Sequence, residues 1–262
     1  MDFANPVPEP TPITVMHDRQ RMRYALVGAL ALVAGIWIVW IGAWLFGWPL
    51  DDLGIEPRRL HGLIGVLTAP LAHASFEHLM SNTLPVGLLA TLTLYCYPRA
   101  ARIALPMIWL LSGAAVWLFA RDSVHVGASG IAHGLMLFLF VMGLLRRDRL
   151  AVVTSLVVFF LYGGMLLSVL PGEVHISFEY HLAGALSGLL AAFLLRMRDP
   201  PPPRKHYSWE DETDTEPEPD DELELPRPQH VPVLWQQQPR EDENRVIVFH
   251  PRPRDPTPPS MH

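Results

Sequence analysis

Residues Ser123–Leu145 read SVHVGASGIAHGLMLFLFVMGLL, an uncharged apolar run whose first part carries polar groups. The run is long enough to cross a bilayer, because a transmembrane helix needs about 20 apolar residues. It also holds Ser129, inside a Gly-Ala-Ser-Gly sequence, and His133 about one helical turn later. Polar groups inside a membrane are costly and are therefore usually functional or paired. The stretch predicts a membrane helix with a functional site near its first turn.

Six uncharged apolar runs explain why 50% of the 262 residues are hydrophobic. The runs are Tyr24–Trp48, His78–Tyr97, Ile103–Ala120, Ser123–Leu145, Leu150–Leu170 and Tyr180–Leu195. The last run reaches spanning length if its helix begins near Ile176. The first run has no small-residue cleavage site and exceeds the core of a signal peptide, so we expect a retained helix. We predict an all-α membrane protein with six transmembrane helices in residues 24–198, after a cytoplasmic segment of residues 1–23.

The distribution of Lys and Arg excludes a seventh apolar segment, Leu60–Phe76, as a span. With six spans and a cytoplasmic N-terminus, twelve Lys and Arg side chains fall on the cytoplasmic side and three on the outer side. This excess agrees with the positive-inside rule, and a seventh span would reverse it for every later cluster. The segment also contains Pro70. We therefore expect a loop that is partly submerged in the outer leaflet and packed against protein.

Residues 199–262 differ in composition from the rest of the chain. They contain 15 of the 26 prolines, and fifteen acidic against seven basic side chains. A segment of this composition cannot bury a core, so we predict a disordered, acidic, Pro-rich cytoplasmic tail. Its apolar islets Val231–Trp235 and Val246–Phe249 are either docking segments for a cytoplasmic partner or merely apolar positions in a linker.

Four polar residues of the membrane runs are predicted to lie at one depth. In this topology the second, fourth and sixth helices all run from the outer to the cytoplasmic side. His78 and Asn82 lie in the first turns of the second helix, four residues apart and thus on one face. Ser129 lies near the start of the fourth helix, and His181 at the start of the sixth. The four side chains therefore converge just below the outer surface, where water can reach them.

Two pairs of glycines support this convergence. Gly184 and Gly188 share a helix face with His181, and small residues there let a neighbouring helix approach closely. Gly127 and Gly130 bracket the serine and permit unusual backbone geometry where the loop becomes helix. The N–H groups at that helix start have no intrahelical partners and favour an anion beside Ser129.

This combination of groups suits acyl transfer. A serine hydroxyl needs a base within hydrogen-bond reach, and His181 is the candidate base for Ser129. The tetrahedral intermediate needs donors for its oxyanion, which Asn82, His78 and the Ser129 amide can supply. The membrane runs offer no carboxylate at this depth for a triad, so the sequence predicts a Ser–His dyad.

The three motifs together resemble those of the rhomboid intramembrane serine proteases. Residues 127–130, GASG, resemble the family's GxSG motif, and residues 181–188, HLAGALSG, its sixth-helix histidine followed by glycines. Residues 73–82, HASFEHLMSN, resemble its second-helix HxxxxHxxxN pattern, and Leu60–Ala72 its submerged loop. The resemblance covers about Tyr24 to Arg196, with three motifs in the right order on the right helices.

The resemblance implies a six-helix bundle of rhomboid type that cleaves membrane proteins with one transmembrane helix near the outer face. It makes Ser129 the nucleophile, His181 the base, and His78 and Asn82 the oxyanion-hole residues. We expect no cofactor, no metal and no nucleic-acid partner. The expected surroundings are the lipid bilayer of a bacterial inner membrane, with both termini cytoplasmic.

His133 is the departure from the family pattern, which often has an aromatic residue four positions after the serine. The sequence leaves three roles open for His133: to stack on His181, to hydrogen-bond to it, or to perturb its pKa. Of the remaining histidines, we expect His73 to be structural and His125 and His175 to be solvated loop residues.

Three other classes of membrane protein lack their characteristic residues in this sequence. A histidine-lined transporter would need ligand groups in the inner halves of the helices, which the sequence does not place there. A zinc protease would need HExxH and an aspartyl protease paired intramembrane aspartates, and neither motif occurs in the sequence. The remaining alternative is a catalytically inactive rhomboid-like protein that binds transmembrane helices without cleaving them.

Overall fold

A computed structural model describes residues 12–172 and 176–199 of the chain. Its long helices are α1 (Pro12–Phe46), α2 (Phe76–Cys96), α3 (Pro98–Phe119), α4 (Ser129–Arg146), α5 (Arg149–Tyr162) and α6 (Phe178–Leu195). A 3-10 segment, Gly163–Val169, extends α5. All six, with that extension, are long and apolar enough to cross a membrane. The prediction of an all-α membrane protein with six spanning helices is confirmed.

Helix α4 is the centre of the bundle. In its most apolar window 67% of the residues are buried, against 17% for α1 and 22% for α5. The exposed side chains of α1 and α5 are largely apolar, for example Leu30, Ile38, Phe160 and Leu161. Such side chains suit contact with lipid chains rather than water. The helix that carries Ser129 is therefore enclosed by protein, while α1 and α5 present apolar faces to the surroundings.

Helix α1 begins earlier than its apolar run. The sequence analysis predicted a cytoplasmic segment of residues 1–23 before the first span, and residues 12–23 of it form the first three turns of α1. Tertiary contacts hold this polar extension, because the Tyr95 hydroxyl donates to Asp18 over 2.7 Å and Arg21 donates to the Cys96 carbonyl over 2.9 Å. Hydropathy alone gives no sign of these contacts. Residues 1–11 lie outside the described part of the chain.

The segment between α1 and α2 is a loop of short turns, as the Lys and Arg distribution predicts. Its helical pieces are Leu50–Leu53, His61–Leu63, Gly65–Thr68 and Ala69–Leu71. Two tryptophans of α3 fasten it: Trp109 donates to the Leu67 carbonyl over 3.2 Å, and Trp117 donates to the Arg59 carbonyl over 2.9 Å. The depth of this loop in the membrane stays a prediction.

The described part of the chain ends on a buried residue, Asp199. Its carboxylate accepts from the amides of Arg99 and Ala100 over 3.0 and 2.9 Å, at the first turn of α3. Arg146 donates to the Asp199 carbonyl over 2.7 Å. The sequence analysis assigned Asp199 to the tail, but its side chain caps a helix of the bundle. The predicted disorder and docking islets of residues 200–262 lie outside the described residues.

Candidate active site

One cavity of about 710 Å³ opens at the first turns of α2, α4 and α6. The residues singled out in the sequence all line it: His78, Asn82, Ser129, His133 and His181. Consecutive spans run in opposite directions, so α2, α4 and α6 all begin at the same end of the bundle. Their first turns bring these side chains together. The convergence expected from sequence is present in the geometry, while the roles of the residues stay proposals.

The serine lies where a strained turn becomes helix α4. Gly127 has φ +114°, a conformation that side chains rarely adopt. A Cβ atom there would lie 2.6 Å from Cε1 and Nε2 of His78, so the imidazole packs directly on the glycine. The first intrahelical bond runs from Ala132 N–H to the Ala128 carbonyl over 3.0 Å. The amide of Ser129 precedes it and is one of those that a helix start leaves without an intrahelical acceptor.

Helix α6 presses against α4 directly below this point. A Cβ atom on Gly184 would collide with the Gly130 carbonyl oxygen, and one on Gly188 would collide with the Gly134 carbonyl oxygen. The backbones of the two helices therefore touch, as small residues permit in membrane bundles. His181 lies one turn before Gly184, so this contact holds its side chain at the level of Ser129.

His181 and His133 are stacked on each other. Their ring centroids are 4.0 Å apart and the rings are inclined by 14°. Both are hydrogen-bonded to Ser168: its hydroxyl lies 2.9 Å from His181 Nδ1 and 2.9 Å from His133 Nε2. Of the three roles left open for His133, stacking is the one observed, and the hydrogen-bonded link to His181 runs through Ser168.

The oxyanion candidates occupy the start of α2. Ser75 caps the helix by accepting from the His78 amide over 3.1 Å. Asn82 is buried, and its Nδ2 donates to the His78 carbonyl over 2.9 Å. This bond uses one of its two amide hydrogens, so the other is available to a ligand in the cavity.

His73 is buried behind the site and supports it. Its ring meets that of His78 edge-on, 5.0 Å between centroids, and its Nε2 accepts from the Ala128 amide over 3.4 Å. Burial, with a smaller effect of nearby His78, lowers the pKa of His73 to about 4. The ring is therefore neutral at physiological pH, and a neutral nitrogen can accept that bond. The contacts agree with the structural role expected for His73.

His125 contradicts the expectation of a solvated loop residue. It is buried, and its Nδ1 lies 2.7 Å from the Ser177 hydroxyl, which caps α6. Its backbone forms an isolated antiparallel bridge with Ile55 in the loop after α1. That bridge draws the histidine inward, and burial lowers the pKa of its imidazole. His175 lies outside the described residues.

Ser168 is the site residue that the sequence analysis missed. A serine in an apolar run is a weak signal, because it also occurs as a simple packing residue. Depth is the signal that identifies it: the fifth run ends at Leu170 on the outer side, so Ser168 lies at the level of His181. Asp51 and Glu77 also line the cavity, but the hydrogen bonds of His181 go to Ser168.

The chain is similar to a known family and to proteins of several bacteria. A family model described as Rhomboid domain matches residues 60–198. Uncharacterized proteins of Mycobacterium bovis and Mycobacterium tuberculosis are each 38% identical to the chain over 194 residues, covering 71% of this chain and 81% of theirs. An uncharacterized protein of Mycobacterium leprae is 33% identical over 193 residues, covering 70% and 76%. The family match includes the starts of α2, α4 and α6.

Proposed function

The chain belongs to the rhomboid family, and on this premise we propose that it is an intramembrane serine endopeptidase. Ser129 is the nucleophile and His181 the general base. The orientation of His181 is the observation that carries the proposal. Its Nδ1 lies 3.1 Å from the Ser168 carbonyl oxygen, which can only accept, so Nδ1 bears the hydrogen. Nε2 of the neutral ring is then the basic nitrogen, and His181 and Ser129 line the same cavity.

The reaction follows from these positions. Ser129 Oγ attacks the scissile carbonyl carbon while its proton passes to His181 Nε2. The oxyanion is stabilised by the Ser129 amide, the free Nδ2 hydrogen of Asn82 and the His78 ring. The intermediate collapses as the imidazolium protonates the leaving amine. Water, deprotonated by His181, then attacks the acyl-enzyme and releases Ser129.

The proposed substrates are membrane proteins with one transmembrane helix, cleaved near the outer face. The cavity lies at the ends of three helices rather than at the bundle's midpoint, which supports cleavage close to the surface. The excess of Lys and Arg supports an orientation with both termini in the cytoplasm. The mycobacterial relatives support the cytoplasmic membrane of a bacterium as the location. A cytoplasmic partner for the tail belongs to the same proposal.

A fluorescent fluorophosphonate tests the assignment, because an activated serine hydroxyl displaces its fluoride and becomes labelled. We expect the purified wild-type protein to be labelled and Ser129→Ala and His181→Phe to lose labelling. Ser81→Ala removes an exposed neighbouring serine and should be labelled like the wild type. A folded wild-type protein that neither reacts nor cleaves a single-span reporter would refute the assignment and favour the inactive, helix-binding alternative.

A further inference from the structure

Ser168 joins the two stacked imidazoles through one hydroxyl group. It lies in the 3-10 segment that extends α5, whereas His133 and His181 come from α4 and α6. Its Oγ is within 2.9 Å of a ring nitrogen of each. Three separate helical elements therefore place a continuous hydrogen-bonded path between the proposed base and a second imidazole.

Carbonyl oxygens beside the rings determine where the hydrogens lie. His181 Nδ1 carries a hydrogen, as argued above from the Ser168 carbonyl. His133 Nδ1 lies 2.7 Å from the Ser129 carbonyl oxygen, so it also carries the hydrogen of the neutral ring. His133 Nε2 then carries the lone pair, and the Ser168 hydroxyl is the donor within reach at 2.9 Å. Its single hydrogen is shared between Nε2 and the Met165 carbonyl oxygen, which lies 2.7 Å from Oγ. The path runs from His181 Nδ1–H to Ser168 Oγ, and from Ser168 Oγ–H to His133 Nε2.

We propose that Ser168 and His133 are positioning residues for His181 and form a proton relay in place of the carboxylate of a triad. The proposal rests on the proposed function. When His181 Nε2 takes the proton of Ser129, the Nδ1 proton passes to Ser168 Oγ, and the proton of Ser168 passes to His133 Nε2. His181 is then neutral with its hydrogen on Nε2, and His133 holds the positive charge as the imidazolium. The reverse shift returns a proton to His181 Nδ1, and the His181 imidazolium then protonates the leaving amine from Nε2, which restores the starting state.

The surroundings of His133 suit this transient charge. The new Nε2–H of the imidazolium lies 3.1 Å from the Met165 carbonyl oxygen, while Nδ1–H keeps the Ser129 carbonyl. Both N–H groups of the charged ring thus have carbonyl acceptors. In a Ser-His-Asp triad the aspartate does not become protonated. Two imidazoles have similar intrinsic basicity. Moving a proton from one to the other therefore does not carry the free-energy cost of protonating an aspartate.

The expected loss of labelling rate in Ser168→Ala depends on which groups still hold the tautomer of His181. In a triad, losing the group that holds the histidine tautomer costs about 10⁴-fold in kcat. Here the Ser168 main-chain carbonyl still holds the Nδ1 hydrogen when the side chain is removed. We therefore expect Ser168→Ala to lower the maximal rate of fluorophosphonate labelling about tenfold or more, with the half-saturating probe concentration unchanged. Ser168→Thr keeps the hydroxyl and should recover the rate to within about threefold of the wild type.

A double variant tests whether Ser168 acts through His133. His133→Phe keeps a ring for stacking but removes the acceptor. If both residues serve one relay, Ser168→Ala should cost less in the His133→Phe background than in the wild type. Independent, additive losses would overturn the relay. So would a Ser168→Ala protein labelled within twofold of the wild type, or a loss that Ser168→Thr fails to restore at unchanged thermal stability.

A spectroscopic measurement keeps this test separate from activity. NMR of protein labelled with ¹⁵N-histidine, in detergent, reports which ring nitrogen carries hydrogen, and His181→Phe identifies the His181 signals by their loss. We expect hydrogen on Nδ1 of His181 and of His133 in the wild type, and also on Nδ1 of His181 in Ser168→Ala, because the Ser168 main-chain carbonyl remains. Hydrogen on Nε2 of resting His181 would overturn the relay. A protein with the expected tautomers that fluorophosphonate fails to label would instead refute the proposed function.

Discussion

The carbonyl oxygen of Gly130 occupies the space that a Cβ atom on Gly184 would need. Gly130 follows Ser129 in α4, and Gly184 lies one turn after His181 in α6. The backbones of the two helices therefore touch next to the two residues proposed to react. The glycines that let α4 and α6 touch also set the distance between the starts of these two helices. The packing of the bundle therefore determines the geometry of the site.

We expect Gly184→Ala to destabilise the protein although alanine is the better helix former. The added methyl group meets backbone atoms, which cannot move aside as a side chain can, and overpacking of this kind costs about 1–3 kcal/mol. The midpoint of thermal unfolding in detergent should fall by about 2–12 °C.

Gly164→Ala is the matched control for that change. An added Cβ at Gly164 meets no atom within 4 Å, so its unfolding midpoint should stay within about 1 °C of the wild type. An unchanged midpoint in Gly184→Ala would show that α4 and α6 are farther apart than described.

The stack of His133 on His181 predicts unequal effects of two identical substitutions. His133→Phe keeps an aromatic ring for stacking on His181, whose ring centroid is 4.0 Å away, and should keep at least about a tenth of wild-type cleavage of a single-span reporter. His181→Phe removes the proposed base and should keep essentially none. An inactive His133→Phe beside an active His181→Phe would move the base to His133.

Asn82 is expected to act on the transition state rather than on binding. Asn82→Ala should lower kcat about 10- to 1000-fold with little change in KM, the usual effect of losing an oxyanion donor. Ser81→Ala is a sharp control, because the Ser81 hydroxyl also donates to the His78 carbonyl over 2.9 Å. If Ser81→Ala lowered kcat as much as Asn82→Ala, the bond to His78 would be the cause and the oxyanion role would be refuted.

The sequence predicted the bundle and the cavity residues because both depend on local signals. Apolar run lengths and the positions of Lys and Arg determine which helix starts lie together, and that places Ser129 and His181 at the same end of the bundle without any contact information. The resemblance to the rhomboid family then assigned expected roles to these residues.

Residues whose position depends on distant partners escaped prediction. His125 is buried by a bridge to Ile55, and Ser168 matters only because the end of α5 reaches the two imidazoles. The start of α1 is held by contacts of Asp18 and Arg21 to residues at the end of α2. Hydropathy and motif spacing do not reveal such contacts, because neither partner stands out from the residues around it in the sequence.

The end of the described chain gives a last prediction, which separates the tail from its first residue. Truncation after Asp199 keeps the carboxylate that accepts from the Arg99 and Ala100 amides. Truncation after Arg198 removes this helix cap, a loss of about 1 kcal/mol. Both proteins should cleave a single-span reporter in detergent, because the cap lies at the first turn of α3 while the cavity lies at the starts of α2, α4 and α6. The shorter protein should unfold about 2–4 °C lower.

Asp199→Asn in the full-length chain is the control: it keeps one oxygen acceptor, so its midpoint should lie between those of the two truncated proteins. Complete loss of cleavage in a folded protein truncated after Asp199 would instead give the tail a part in the reaction.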